Sequence, residues 1–261
     1  SLFAYNAFCV MTDMSDTRVG TITASEDRFM QWKTADGDYS KIANKIAIRW
    51  TTLLDGMFPK ERLLDILRNF ICFSKSEEGT AKILAAYHQY FGVHKAVDST
   101  LHAMNSDGKA GVFWHTQGSG IVVEVFYAHL LAEQVSSPTI VVTTDRTDLD
   151  GQLYSQFAKC ADFLPKHLSS GSRENLIELL NNRQANARVT TMQKFSESDE
   201  PLSERRNIVV MADEAIAASR LEIKLHTDGT HSVGDALKVR QALPNASYIG
   251  FTGTPIETQD K

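Results

Sequence analysis

Two adjacent acids, Asp213 and Glu214, close the apolar run Val209-Val-Met-Ala. A strand that delivers paired carboxylates at its C-terminal end suits nucleotide hydrolysis. The Asp holds Mg²⁺, directly or through water, and the Glu polarises the attacking water. The same acids would equally serve a helix N-terminus, where negative charge meets the helix dipole. A second segment, Trp114-His-Thr-Gln-Gly-Ser-Gly120, takes a strand into a glycine-rich turn and then a helix. Such a turn lets backbone N–H groups approach a phosphate, and the helix start favours its charge. It is also a common way simply to turn a chain. A third segment, Phe251-Thr-Gly-Thr-Pro255, follows the strand-like Tyr248-Ile-Gly250, and its plain reading is a Gly-Pro turn. A fourth, Thr143-Thr-Asp-Arg-Thr-Asp-Leu-Asp150, follows an apolar run. Its acids lack calcium-loop spacing, and its plain reading is a helix cap on Thr147 or Asp148.

These segments need a scaffold that ends all of them at one edge. Residues 111–115, 139–144, 207–212 and 247–251 read as strands, and 189–192 as a short one. Helical patterns at 122–135, 149–160 and 173–181 alternate with them. Unbroken apolar strands alternating with helices predict a parallel sheet covered on both faces. In such sheets ligands bind outside the C-terminal ends of the strands. Four modest signals in order along one edge are therefore stronger than any of them alone. Upstream, residues 2–13 and 19–23 read as a hairpin or adjacent strands, and 28–40 as a loop. Residues 61–73 and 81–100 read as helices, and the polar 74–80 as the boundary between two domains.

The 261 residues, 43% hydrophobic and 23% charged, have ordinary globular composition. A net charge of -5 excludes a histone-like protein, but not a basic track on an acidic body. Cys9, Cys72 and Cys160 give neither a disulfide framework nor a zinc site, and they fit a reducing cytoplasm. No apolar run approaches the ~18 residues of a membrane span. The chain opens in a strand-like pattern without Met and stops soon after Pro255, so it is expected to be a middle section of a longer chain.

The sequence resembles the motor (restriction, R) subunits of type I restriction endonucleases, a branch of the superfamily-two helicases. The resemblance covers nearly the whole chain. It is carried by LFAYN (2–6), DRFMQWKT (27–34), KERLLDILRNFICF (60–73), YHQYFGVHKAV (87–97), VFWHTQGSG (112–120), TDRTDLD (144–150), TTMQKF (190–195), VVMADEA (209–215) and GFTGTPI (250–256). The DEA and TGTP boxes occur across many helicases; YHQYF and FWHTQGSG are more particular. The resemblance implies an α/β fold: a RecA-like parallel sheet flanked by helices over 74–261, preceded by the end of an α/β nuclease domain over 1–73. It implies ATP and Mg²⁺ as cofactors. Thr116, Gln117, Gly118, Ser119 and Gly120 would hold the phosphates, and Gln89 would read the adenine edge. Asp213 and Glu214 would serve the metal and the hydrolytic water, and Thr252, Gly253 and Thr254 would couple hydrolysis to movement. Thr144, Arg146, Thr191 and Gln193 would touch the DNA backbone. The implied partners are double-stranded DNA and the methyltransferase (M) and specificity (S) subunits, with no membrane. The family's nuclease residues, an Asp followed by Glu-x-Lys, would lie upstream of Ser1.

The chain departs from the family at two loops. After Gly120 the family has Lys and then Ser or Thr; here Ile121 and Val122 follow. The Lys neutralises β/γ-phosphates and the hydroxyl binds Mg²⁺. After Asp213-Glu-Ala215 the family has His and then Arg-Ser-Gln; here Ile216-Ala-Ala-Ser-Arg220 follows. Either the chain is an ATPase-dead relative, or residues are missing at these loops. Glu222-Ile-Lys224 mimics nuclease spacing after Asp213, but the ATPase role explains Asp213 better. His226 and His231 flank a turn without a third metal ligand nearby, and Trp114 is expected in the core.

Overall fold

The computed structural model describes residues 3, 5–13, 16–38, 40, 50–115, 120–144, 154–164, 167–168, 173–181, 186–191, 195, 200–213, 223–225, 231–233 and 235–253. Its contacts divide the chain into two units, Ser1–Lys95 and Ala96–Lys261.

The first unit opens with the expected hairpin, β1 (Cys9–Thr12) paired antiparallel with β2 (Thr17–Gly20). Two helices follow, α1 (Trp50–Met57) and α2 (Lys60–Asn69). The sequence predicts a helix to residue 73, followed by a polar segment at 74–80. Instead, β3 (Ile71–Ser76) and β4 (Gly79–Leu84) form an antiparallel hairpin in full register from Ile71↔Leu84 to Ser76↔Gly79. Its turn needs a glycine, since Gly79 has φ +135°. The helix expected over 81–100 is displaced to α3 (Tyr87–Met104), within which the two units divide. The core of this unit is aromatic. Trp32 is buried, with its ring 5.9 Å from those of both Tyr90 and Phe91.

A polar cluster ties α2 to α3. The Tyr90 hydroxyl donates to Asp65 Oδ2 at 2.8 Å, the His94 Nε2 lies 2.8 Å from the same oxygen, and Asn69 Nδ2 donates to Oδ1 at 2.8 Å. Burial works against the Asp65 charge, but the bonds from His94, Asn69 and Tyr90 outweigh it and hold the carboxyl below its ordinary range. A depressed carboxyl gives stability that is complete above its unfolded pKa of about 3.9 and is lost as pH falls through the lower folded value. Asp65→Ala should cost about 1.5–3 kcal/mol of local stability near neutral pH. The deficit should close in acid. Hydrogen exchange of the α2 and α3 amides in the full-length protein measures both; unchanged protection at pH 7 would contradict the assignment.

In the second unit, β5 (Lys109–Trp114), β6 (Thr139–Thr144), β7 (His167–Leu168), β8 (Asn186–Thr191), β9 (Ile208–Asp213) and β12 (Ser247–Thr252) form one sheet, in the order β5-β12-β9-β6-β8-β7. Every pairing is parallel, as the sequence predicts. The sequence reading missed the two-residue edge strand β7. It also missed the small antiparallel pair β10 (Ile223–Leu225) and β11 (His231–Val233), which carries Lys224 and His231. β8 is longer than the 189–192 expected, because sheet pairing on β6 recruits Asn186, Ala187 and Arg188 whatever their polarity.

Register assigns the two faces. Val141 pairs with Val210, and they pack with Leu176 and Leu180 of α5 (Arg173–Asn181) and Val239 and Ala242 of α6 (Asp235–Ala242). On the other face Phe251 pairs with Phe113 and with Asp213, and lies under α4 (Gly120–Gln134). Gly108, at φ +75°, allows β5 to begin beside β12; a Cβ there would come within 2.7 Å of the Ala246 carbonyl oxygen. None of Cys9, Cys72 and Cys160 is in a disulfide. Among the described residues no helix is long and apolar enough to cross a membrane.

Candidate functional site

Because the strands are parallel, their C-terminal residues share one edge. Pairing sets Thr143 beside Ala212, Thr144 beside Thr191, Phe251 beside Asp213 and Thr252 beside Trp114. That edge therefore carries the strand-end residues expected for hydrolysis (Asp213), coupling (Thr252, Gly253) and DNA contact (Thr144, Thr191). Gly120 opens α4, the helix on the Asp213 face. Thr252 is buried, and its carbonyl accepts from His115 N–H at 3.0 Å. Thr143 is buried and donates to the Met211 carbonyl at 3.3 Å.

Thr116, Gln117, Gly118, Ser119, Arg146, Gln193, Glu214 and Thr254 lie outside the described residues, as do the side chains of Ile121, Thr144 and Thr191. Gln89 belongs to the first unit. It is buried, and its Oε1 accepts from the Ala86 N–H at 2.9 Å. That bond satisfies a donor at the start of α3, as a capping-box Gln does. Trp114 corrects its expectation: it is 68% exposed, with Nε1 3.4 Å from the Gly253 carbonyl oxygen. The penultimate position on its face, Val112, is 67% exposed. Half-buried Phe113 stacks on buried Phe251 at 5.4 Å, and buried Tyr127 lies edge-on to Phe251 at 5.4 Å.

The residue that sequence reading overlooked is Glu124. It is fully buried, and the side chain hydrogen-bonded to it is another acid, Asp213. Burial first, and then the charge of neighbouring Asp213, push its carboxyl well above the ordinary range. Asp213 can share a proton with Glu124 but cannot solvate its charge. The available signal was one acid inside the apolar run 121–128, three residues before Tyr127 and so on the same helix face. Hard carboxylate oxygens suit Mg²⁺. Among the described residues no group of three His, Cys, Asp or Glu forms a closed metal cage.

A parallel sheet flanked by helices, with Asp213, Thr252 and Gly253 at the C-terminal edge, is a RecA-like arrangement. The sequence model of the SWI2/SNF2 ATPase family matches residues 88–261, and the chain belongs to that family. It is 42% identical over 276 residues to the type I restriction enzyme HindI endonuclease subunit of Haemophilus influenzae, across 100% of this chain and 26% of that one. It is 31% identical over 287 residues to the putative type I restriction enzyme MjaIXP endonuclease subunit of Methanocaldococcus jannaschii, again across 100% and 26%. The chain thus spans about a quarter of the length of these relatives. Both alignments are longer than the chain, so each relative carries positions without a counterpart here. Among solved structures, the Sulfolobus solfataricus SWI2/SNF2 ATPase core in complex with dsDNA is similar at a TM-score of 0.41 and 13% identity, over 65% of this chain and 32% of that one. A likeness that slight carries no argument.

Proposed function

We propose that this chain is the first motor lobe, with the end of a nuclease domain before it, of a type I restriction enzyme's R subunit. The full-length protein hydrolyses ATP to translocate double-stranded DNA and cuts it away from the recognition site, in the cytoplasm, together with methyltransferase and specificity subunits. The observation that carries this reading is the shared edge, where Asp213 and Thr252 lie with the C-terminal ends of β5, β6 and β8. Family membership and the names of the two relatives support it.

The roles implied by the family resemblance complete this reading. Asp213 would hold Mg²⁺, with Glu214 beside it in sequence to orient water. The turn 116–120 would receive the phosphates and Gln89 the adenine. Thr252 to Thr254 would pass the change at the phosphate to the rest of the lobe. Thr144, Arg146, Thr191 and Gln193 would grip the DNA backbone, contacts that position the duplex without reading its sequence. Bound magnesium would supply charge neutralisation on the phosphates.

Ile121 and Val122, where a phosphate-binding Lys and a metal-binding hydroxyl are expected, favour a second reading: a nucleotide- or DNA-binding module without hydrolysis. ATP turnover by the full-length protein separates the two. The motor reading expects turnover that rises with duplex DNA, and movement along DNA without strand displacement. Nucleotide binding without turnover would leave the binding module standing. Strand displacement would instead indicate another superfamily-two helicase.

A further inference from the structure

We propose that the outer edge of β1 pairs, in the full-length protein, with a further strand from the polypeptide that precedes Ser1, so that β1 lies inside a larger sheet. The inference rests on the reading of residues 1–73 as the end of a nuclease domain. It names the surface by which that end joins the rest of the domain.

The direction of the hydrogen bonds fixes which side of β1 is open. Val19 of β2 exchanges both backbone bonds with Met30: its N–H donates to the Met30 carbonyl at 2.9 Å, and the Met30 N–H donates back at 3.0 Å. Those groups of Val19 point away from β1. The Val10–Val19 pair of the hairpin is therefore of the non-hydrogen-bonded kind. In such a pair the N–H and C=O of Val10 also point outward, away from β2. Among the described residues no backbone group meets them. Thus β2 is flanked on both sides and β1 on one.

Burial agrees. Thr17, Val19 and Gly20 of β2 are buried, whereas Val10, Met11 and Thr12 of β1 are exposed. Val10 and Met11 are consecutive, so their side chains lie on opposite faces, and both faces of β1 are bare. Phe3 and Tyr5, shortly before β1, are exposed as well. Cys9-Val-Met-Thr12 has neither a charge nor a proline, the devices that keep a free edge from recruiting other strands. A two-stranded hairpin alone is marginal in water. This strand has the composition of an inner strand and the exposure of an edge.

Order along the chain names the occupant. β1 neighbours β2, and β2 neighbours Met30, so each step across the sheet is also the next step in sequence. Consecutive strands are neighbours roughly two-thirds of the time. The place beyond β1 therefore belongs to the strand before it. The relatives leave room for one, since this chain covers 26% of the length of each.

The test is hydrogen exchange and photo-crosslinking of the full-length protein. The Val10 amide should exchange at least about a hundredfold more slowly than an unprotected amide. Exchange at the unprotected rate overturns the proposal. Photo-methionine, incorporated in place of methionine, keeps the shape of Met11, and fragment-ion sequencing localises its crosslinks. Crosslinks from Met11 to a peptide of the same polypeptide before Ser1 support the proposal. Crosslinks only to a second copy, to M or S subunits or to residues beyond Lys261 overturn it, as does their absence. A crosslinked dimer on a denaturing gel marks the second copy. DNA cleavage by the native protein, assembled with M and S subunits, tests the underlying reading separately. Cleavage with an unprotected Val10 removes only the strand pairing. Protection and upstream crosslinks without cleavage remove the nuclease reading and leave the strand pairing in place.

Discussion

Asp213→Asn in the full-length protein should lower DNA-stimulated ATP hydrolysis about a thousandfold, because a catalytic metal supplies several kcal/mol of charge stabilisation and each 1.4 kcal/mol is a factor of ten. The carboxylate stands at the end of β9, where Asp213 pairs with Phe251 of β12 and the preceding Ala212 pairs with Thr143 of β6. The substitution is nearly isosteric, and Asp213 is only half-buried, so the fold should tolerate it. It should even relieve repulsion against Glu124. The loss should therefore fall on turnover and on magnesium dependence, not on solubility or on thermal stability. Steady-state ATPase assays with and without duplex DNA provide the measurement. Turnover within tenfold of native would mean that another residue organises the reaction.

Phe251→Ala should have the largest effect on stability. The side chain is fully buried, stacked on Phe113 and edge-on to Tyr127, and so joins β12, β5 and α4. Truncating a buried Phe costs about 3–5 kcal/mol, part lost transfer energy and part cavity. Tyr127 is held in place from the other side by Thr100, whose hydroxyl lies 2.6 Å from its phenol oxygen, so the site cannot readily collapse to fill the gap. Hydrogen exchange of the β12 and β5 amides should speed up by roughly two to three orders of magnitude, at 1.4 kcal/mol per tenfold. Because Phe251 is in register with Asp213, the same change should loosen the edge proposed to carry the chemistry and depress turnover by the full-length protein at temperatures where it is still folded. Protection within threefold of native would show that this aromatic cluster does not bear on the sheet's stability.

The central strands were legible because each is a continuous apolar run. Residues 139–144, 207–212 and 247–251 have only one stable home, a sheet covered on both faces. The first unit was less legible. Ile71-Cys-Phe73 continues the helical spacing of α2, and a short apolar run does not by itself distinguish helix from strand. Pairing with residues 82–84 decides it, and that pairing is visible only once the chain has turned at Gly79. Trp114 misled for the opposite reason. Apolar residues on a sheet edge are not bound to be inside, and at the end of β5 half-buried Phe113 packs on Phe251 while Val112 and Trp114 face outward.

By itself the sequence determined the parallel sheet, the family resemblance and the edge where chemistry should gather. Strand polarity and apolar runs are local properties, and a parallel sheet places every strand end on the same side. Only the tertiary structure revealed the partner of Asp213. Glu124 is 89 positions away in sequence and ordinary in composition, and it becomes consequential only when Tyr127 seats α4 on Phe251. Burial there removes the water that would otherwise solvate its charge, and the acid is left facing an acid.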